Sequence, residues 1–188
     1  MSTQIDIDSL LTVEDLDIMP EDGNRYEIIE GELFVSRSPS LRHQRVSRNI
    51  VVIFSGYLDH NPIGEILHTP GVIFSNFSGV IPDLVFVSSE QRDEIASGDR
   101  IMGAPVLVIE IISPGAENLR RDRLVKKQLY AKYGVKEYWL VDPETRAIEA
   151  YVLENGLFEL RAVYGEGDEL TSELLPGFRC KVEDIFKV

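Results

Sequence analysis

The chain from 106 to 112 reads Val-Leu-Val-Ile-Glu-Ile-Ile, a branched aliphatic run broken by one carboxylate, Glu110. Such a run predicts a strand buried on both faces. A second apolar run, Leu84 to Val87, opens directly after Pro82-Asp83 and predicts another. Upstream, Tyr26–Ile29 and Glu32–Val35 flank Glu30-Gly31 and predict a β-hairpin. Thr12-Val13-Glu14-Asp15 resembles an N-cap opening a short helix, which Pro20 to Asn24 breaks. From Ser40 the apolar spacing turns helical through Val46, Ile50, Ile53, Phe54 and Tyr57, until Asn61-Pro62. Strands are then expected near 65–68, 72–75 and 82–87, followed by a polar excursion over 88–103.

After Ser113-Pro114-Gly115 a helix is predicted over 118–133, with Gly134 at its C-terminal turn. A strand over 135–142 follows closely, so strand, helix and strand make a parallel βαβ unit. Within the helix, Leu119, Asp122, Lys126, Leu129, Tyr130 and Tyr133 step by three or four and share one face. Crossover helices pack on their sheet, so this stripe should face the strand of Glu110, with Lys126 inward and Lys127 and Lys132 outward. A competing stripe runs through Leu124, Val125 and Gln128. Segments 147–153, 157–164 and 178–182 predict a β-meander at one side of the sheet. The fold class is α/β with antiparallel additions, and all 188 residues are read as one domain.

Composition changes this picture little. The single cysteine, Cys180, excludes an internal disulfide and a thiolate zinc site. No apolar run approaches the roughly 18 residues of a membrane span. Met1 to Asp8 is polar and acidic, without a secretory pattern, so a reduced, cytoplasmic protein is expected. The net charge of −13 runs against phosphate binding, which usually draws on a basic surface. The cations are nonetheless dense at Arg37, Arg42, Arg45 and Arg48, and again at Arg120, Arg121, Arg123, Lys126 and Lys127. These clusters read either as solvated helix faces or as one positive face on an acidic body.

An ionised carboxylate buried in an aliphatic strand costs several kcal/mol unless a cation, metal or donors compensate it. Asp83 and Glu110, on adjacent buried strands beside an inward Lys126, are either a structural ion-pair cluster or a catalytic set. Magnesium takes oxygen ligands and commonly needs only one or two carboxylates, substrate phosphate and water completing its shell. A neighbouring lysine can orient the attacking water or stabilise developing negative charge. Ser113 lacks a nearby histidine to make it a nucleophile, and Tyr138 and Trp139 read as sheet packing. His60 and His68 read as surface or strand-edge residues.

Pro82-Asp83, Glu110-Ile111-Ile112-Ser113-Pro114, Asp122 and Lys126 with Tyr130, and Gly134 to Pro143 together resemble the Uma-type family. That family is a mostly bacterial branch of the PD-(D/E)XK restriction-endonuclease-like superfamily. Tyr26 to Leu33 and His43-Gln44 also resemble its opening segments, so the likeness spans roughly residues 10 to 186. The resemblance implies a restriction-endonuclease-like mixed central sheet flanked by helices, with an added N-terminal hairpin and C-terminal antiparallel strands. It implies a magnesium-dependent nuclease site, manganese substituting, in which Asp83 and Glu110 bind metal and the Ile111 carbonyl adds a ligand. The superfamily's usual lysine stands two residues after the strand acid, where this chain has Ile112; Lys126 resembles a lysine moved onto the next helix. Glu27, His43 and Gln44 are accessory candidates, and the sequence does not separate Glu27 from Glu30 or Glu32.

Three functions stay open at this point: a metal-dependent DNA endonuclease, a nuclease-like binding or regulatory module without catalysis, and a phosphoesterase for a small nucleotide or RNA. A homodimer suits a cut in both strands of a duplex, and two-fold assemblies are the commonest.

Overall fold

The computed structural model describes residues 10–96 and 98–188; Met1 to Asp8, read above for targeting, lie outside the described residues. The Thr12 segment becomes a 3-10 helix, Val13–Ile18. Its Asp15 carboxylate accepts the Thr12 N–H at 2.7 Å and the Thr12 hydroxyl at 3.1 Å. The hairpin forms as β1 (Arg25–Ile29) and β2 (Glu32–Ser36). Its turn residues, Glu30 and Gly31, both have left-handed backbone, with φ of 52° and 82°, as a two-residue I′ turn requires. Helix α1 (Leu41–Leu58) is capped by Ser40, whose Oγ accepts the His43 N–H at 3.2 Å.

Strands β3 (Gly64–His68), β4 (Val72–Ser75), β5 (Ser78–Val80), β6 (Leu84–Ser88), β7 (Ile101–Met102) and β8 (Leu107–Ile111) follow. The expected strand over 82–87 therefore starts at Leu84, with Asp83 just before it. Two short strands, β5 and β7, carry no alternation long enough to read. The stretch over 88–103 is not only polar excursion: β7 pairs in parallel with β4. Strands β9 (Glu137–Asp142), β10 (Ala147–Glu154) and β11 (Leu157–Tyr164) form the meander. The third expected segment does not extend it, because β13 (Arg179–Lys181) pairs with β12 (Glu169–Thr171) in a separate ribbon.

Six strands form the main sheet in the order β11-β10-β9-β8-β6-β3, and five form a second in the order β2-β1-β5-β4-β7. In the main sheet β8 and β9 run parallel and the other pairs antiparallel, which makes it mixed. Alternate residues of β8 supply two cores. Leu107, Ile109 and Ile111 pack with Val46, Ile50 and Phe54 of α1 and with Trp139. Val108 and Ile112 pack with the crossover helix and with Ile29, Val72 and Val80 of the second sheet. Both Tyr138 and Trp139 are buried, so they pack the sheet. Helices thus cover both faces, and Glu110 shares the face of Val108 and Ile112.

The crossover helix, α2, runs over 116–133 in three pieces: α-helical Ala116–Arg120, π-helical Arg121–Lys126 and α-helical Lys127–Tyr133. Gly134, with φ of 88°, ends it. Its buried residues are Asp122, Lys126, Leu129, Tyr130 and Ala131. The expected stripe holds except at its N-terminal end, where Leu119, ahead of the π-helical turn, is 38% exposed. Leu124 of the competing stripe is exposed. Lys132 points out, but Lys127 is half-buried, its Nζ 3.7 Å from the centre of the Tyr151 ring.

Candidate active site

The register Leu84↔Ile109 sets Asp83 and Glu110 side by side, one step further along the same strand pair. Asp83 is tightly held. Its Oδ2 accepts the Ile111 N–H at 2.9 Å and lies 2.9 Å from His43 Nε2, while Arg25 Nη1 donates to Oδ1 at 3.1 Å. Burial works against the Asp83 carboxylate, but His43, the Ile111 N–H and Lys126 together hold it below the usual aspartate range.

Glu110 is held from α2. Lys126 Nζ donates to its Oε1 at 3.0 Å and the Tyr130 hydroxyl donates to the same oxygen at 2.5 Å. Burial, reinforced by Asp83, Asp122 and Glu27, pushes the Glu110 carboxyl up to about 8 even though Lys126 opposes the shift. Both donors converge on Oε1. Lys126 has a second acidic partner in Glu27, whose Oε1 lies 2.8 Å from Nζ. Burial disfavours the ammonium, yet Glu110 and Glu27 outweigh it and raise the Lys126 pKa.

Three acids were indistinguishable in the hairpin sequence, and pairing separates them. Strand β1 joins β5 at Ile28↔Gly79, and Glu27 then accepts the Ile81 N–H at 2.8 Å from the loop leading to Asp83. Glu30 instead bonds Ser78 and Lys132, and Glu32 is exposed. His43 is buried in the site, with its Nδ1 and the neighbouring Ser47 Oγ lacking hydrogen-bond partners. Gln44 is exposed on α1 and does not line the cavity.

The π-helical segment brings Asp122 and Lys126 into the same site. Arg121 Nε donates to Asp122 Oδ1 at 3.0 Å, and the Tyr138 hydroxyl donates to the Asp122 carbonyl at 3.0 Å. π-Helical turns recur at functional sites. Arg25 is the site residue that sequence reasoning left out; Arg121, Asp122 and Tyr130 were named, in the cation cluster and the helix stripe, but given no role in the site. The signal for Arg25 was its strand parity with Glu27; Tyr130 stood on the inward stripe.

These groups line a cavity of about 410 Å³, walled by 35–40 and by Ser113, Pro114 and Asn118. Four cations (Arg25, Arg37, Arg121, Lys126) face four carboxylates (Glu27, Asp83, Glu110, Asp122), so the cavity is near neutral in an acidic protein. The donor set suits a hard cation: carboxylate oxygens and the Ile111 backbone, with Cys180 buried in the other core. Among the described residues no group of three or more Asp, Glu, His or Cys side chains converges as a ready metal cage.

The family model described as "Putative restriction endonuclease", Uma2, matches residues 13–183, and the chain belongs to this family. The fold matches the crystal structure of a "putative nuclease belonging to DUF820" from Anabaena variabilis, with a TM-score of 0.75 at 17% identity. The match covers 94% of this chain and 97% of that one. No curated protein matches the chain. The architecture is accordingly a restriction-endonuclease-like mixed sheet flanked by helices, in a nuclease-like family. No described helix is long and apolar enough to cross a membrane.

Proposed function

We propose that the protein is a magnesium-dependent DNA endonuclease, manganese substituting for magnesium. The observation that carries this reading is the meeting of Asp83, Glu110 and Lys126 on the floor of one arginine-lined cavity, in a chain of this family. Asp83 and Glu110 would hold the ion, with the Ile111 carbonyl as a further ligand. When bound, such an ion offsets phosphoryl charge and makes water a better nucleophile. Lys126 donates to the attacking water or to a phosphate oxygen, and Glu27 keeps its ammonium aimed at the acids. Tyr130 fixes the Glu110 carboxylate, while Arg25, His43 and the Ile111 N–H fix Asp83. Arg37 and Arg121 supply charge for the phosphates on either side of the cut. A 5′-phosphate product is expected, and a homodimer would bring two such sites to one substrate.

One observation favours a second reading, a nuclease-like binding module. Lys126 and Arg25 already pair with the acids, and His43 bonds Asp83, as one self-contained network. The two readings part on a single assay: incubation of covalently closed plasmid and closed single-stranded circles with magnesium or manganese, beside an EDTA control. Metal-dependent linearisation or nicking, with 5′-phosphate ends, supports the nuclease. Intact circles in every metal support the binding module.

A further inference from the structure

Resting on that reading, we infer that the site takes a single strand, as a free strand, flap or frayed end, and excludes an intact duplex. The groups that would act on phosphate are nearly out of reach of solvent: Asp83 is 4% exposed, Glu110 3% and Lys126 2%. The cavity above them, about 410 Å³, falls in the range of about 300–1,000 Å³ typical of pockets that enclose one small molecule. Its walls come from separate elements: residues 35–40, from the end of β2 to the start of α1, and Ser113, Pro114 and Asn118 beyond β8.

A duplex carries each phosphate on the ridge of a rigid rod, between grooves about 12 and 6 Å wide. Walls rising around so deeply buried a floor would strike the sugars and the opposite strand before a phosphate reached Asp83. A single strand is flexible and can thread between them. A second cleft, of about 180 Å³, adjoins the cavity; the two share Val35, Asn118 and Arg121, and the second adds Arg120, the exposed acid Glu32 and Phe34, which packs against the core. Arg121 and Arg120 along the two clefts are the kind of cations with which a single-strand track grips phosphates. Charge agrees. Duplex affinity rises with the number of phosphates neutralised, which a surface of net −13 opposes, whereas a threaded strand needs only the few cations that line its path.

The test offers one labelled sequence to the full-length protein with manganese as a single strand, as a blunt duplex and as a duplex bearing an unpaired flap. Cleavage of single strand and flap at least about tenfold faster than the blunt duplex is expected. Equal or faster cutting of the blunt duplex overturns the inference and leaves the nuclease reading intact. If nothing is cut, the nuclease reading falls, and binding decides the inference separately. Fluorescence anisotropy on Asp83→Asn protein should then favour single strand over duplex, and equal affinity overturns it. In the same assay Arg37→Ala should weaken single-strand binding and flatten its log–log salt dependence by about one; an unchanged slope contradicts the proposed path.

Discussion

Lys126 reaches Glu110 across 3.0 Å, from a helix sixteen residues further along the chain to the middle of a buried strand. Neither residue is tolerable there alone. The ammonium has Glu110 and Glu27 as its partners, and the acid has Lys126 and Tyr130.

Replacing Lys126 by Met should abolish cleavage and also loosen the fold. Breaking a buried ion pair by removing one partner costs about 3–5 kcal/mol, and at this chain length each kcal/mol lowers Tm by about 2–4 °C. Calorimetry should show a drop on the order of 10 °C in metal-free protein. Adding Glu27→Gln should restore part of it, since the uncompensated charge goes too. A Tm within about 2 °C of wild type, on that same scale, would mean that Lys126 is not the buried counter-ion described here.

Glu110 gives stability a pH dependence of known sign. Its folded-state pKa, about 8, lies above its ordinary 4.5. Between those values the folded chain keeps a proton that the unfolded chain has released, so this contribution to stability falls as pH rises. A glutamine amide in its place does not titrate. In EDTA, Glu110→Gln should therefore gain Tm over wild type progressively from about pH 5 to about pH 8.5, by on the order of 10 °C at the top. A difference that stays flat with pH contradicts the raised pKa.

Tyr130 is a positioning residue. Tyr130→Phe removes one hydrogen bond to Glu110 at a cost of about 0.5–1.5 kcal/mol, so the protein should remain folded. Partners of metal ligands typically govern about 10–100-fold in affinity or activity. Calorimetric titration with manganese should show weakening in that range, with Tm lowered by only a few degrees. Unchanged affinity would make Tyr130 packing alone.

Glu137 is buried for a different purpose. On the α1 face of the sheet it accepts the Trp139 Nε1–H at 2.9 Å and the Ser172 hydroxyl at 2.5 Å. Glu137→Ala leaves the indole N–H unsatisfied and should cost about 1–3 kcal/mol, read by urea unfolding. Loss of cleavage in protein that remains folded would instead place Glu137 in the chemistry.

Asp83, Glu110 and Lys126 were legible because each is a charge where the pattern demands an apolar residue, and strand and helix periods alone bring them together. Glu27 was legible only as one of three hairpin acids, since its selection depends on β1 meeting β5, a three-residue strand with no sequence signature. Arg25 was hidden for the same reason: its partner Asp83 lies 58 residues away. A π-helical segment also has no periodic signature, so the helical wheel kept Asp122 and Lys126 inward but misjudged Leu119 and Lys127 on either side. His43 and Gln44 are adjacent in sequence, and only the placement of α1 turns one into the site and the other into solvent.

The most direct measurement is the initial rate of cleavage of closed DNA circles by wild type and Asp83→Asn, purified identically, with saturating manganese. The Asp83→Asn change keeps the shape and removes the charge that would hold the ion, so the rate should fall at least about a hundredfold, within the range lost when a single charge-stabilising group is removed from an active site. Cleavage by Asp83→Asn at the wild-type rate would contradict the account, because the activity would then arise elsewhere.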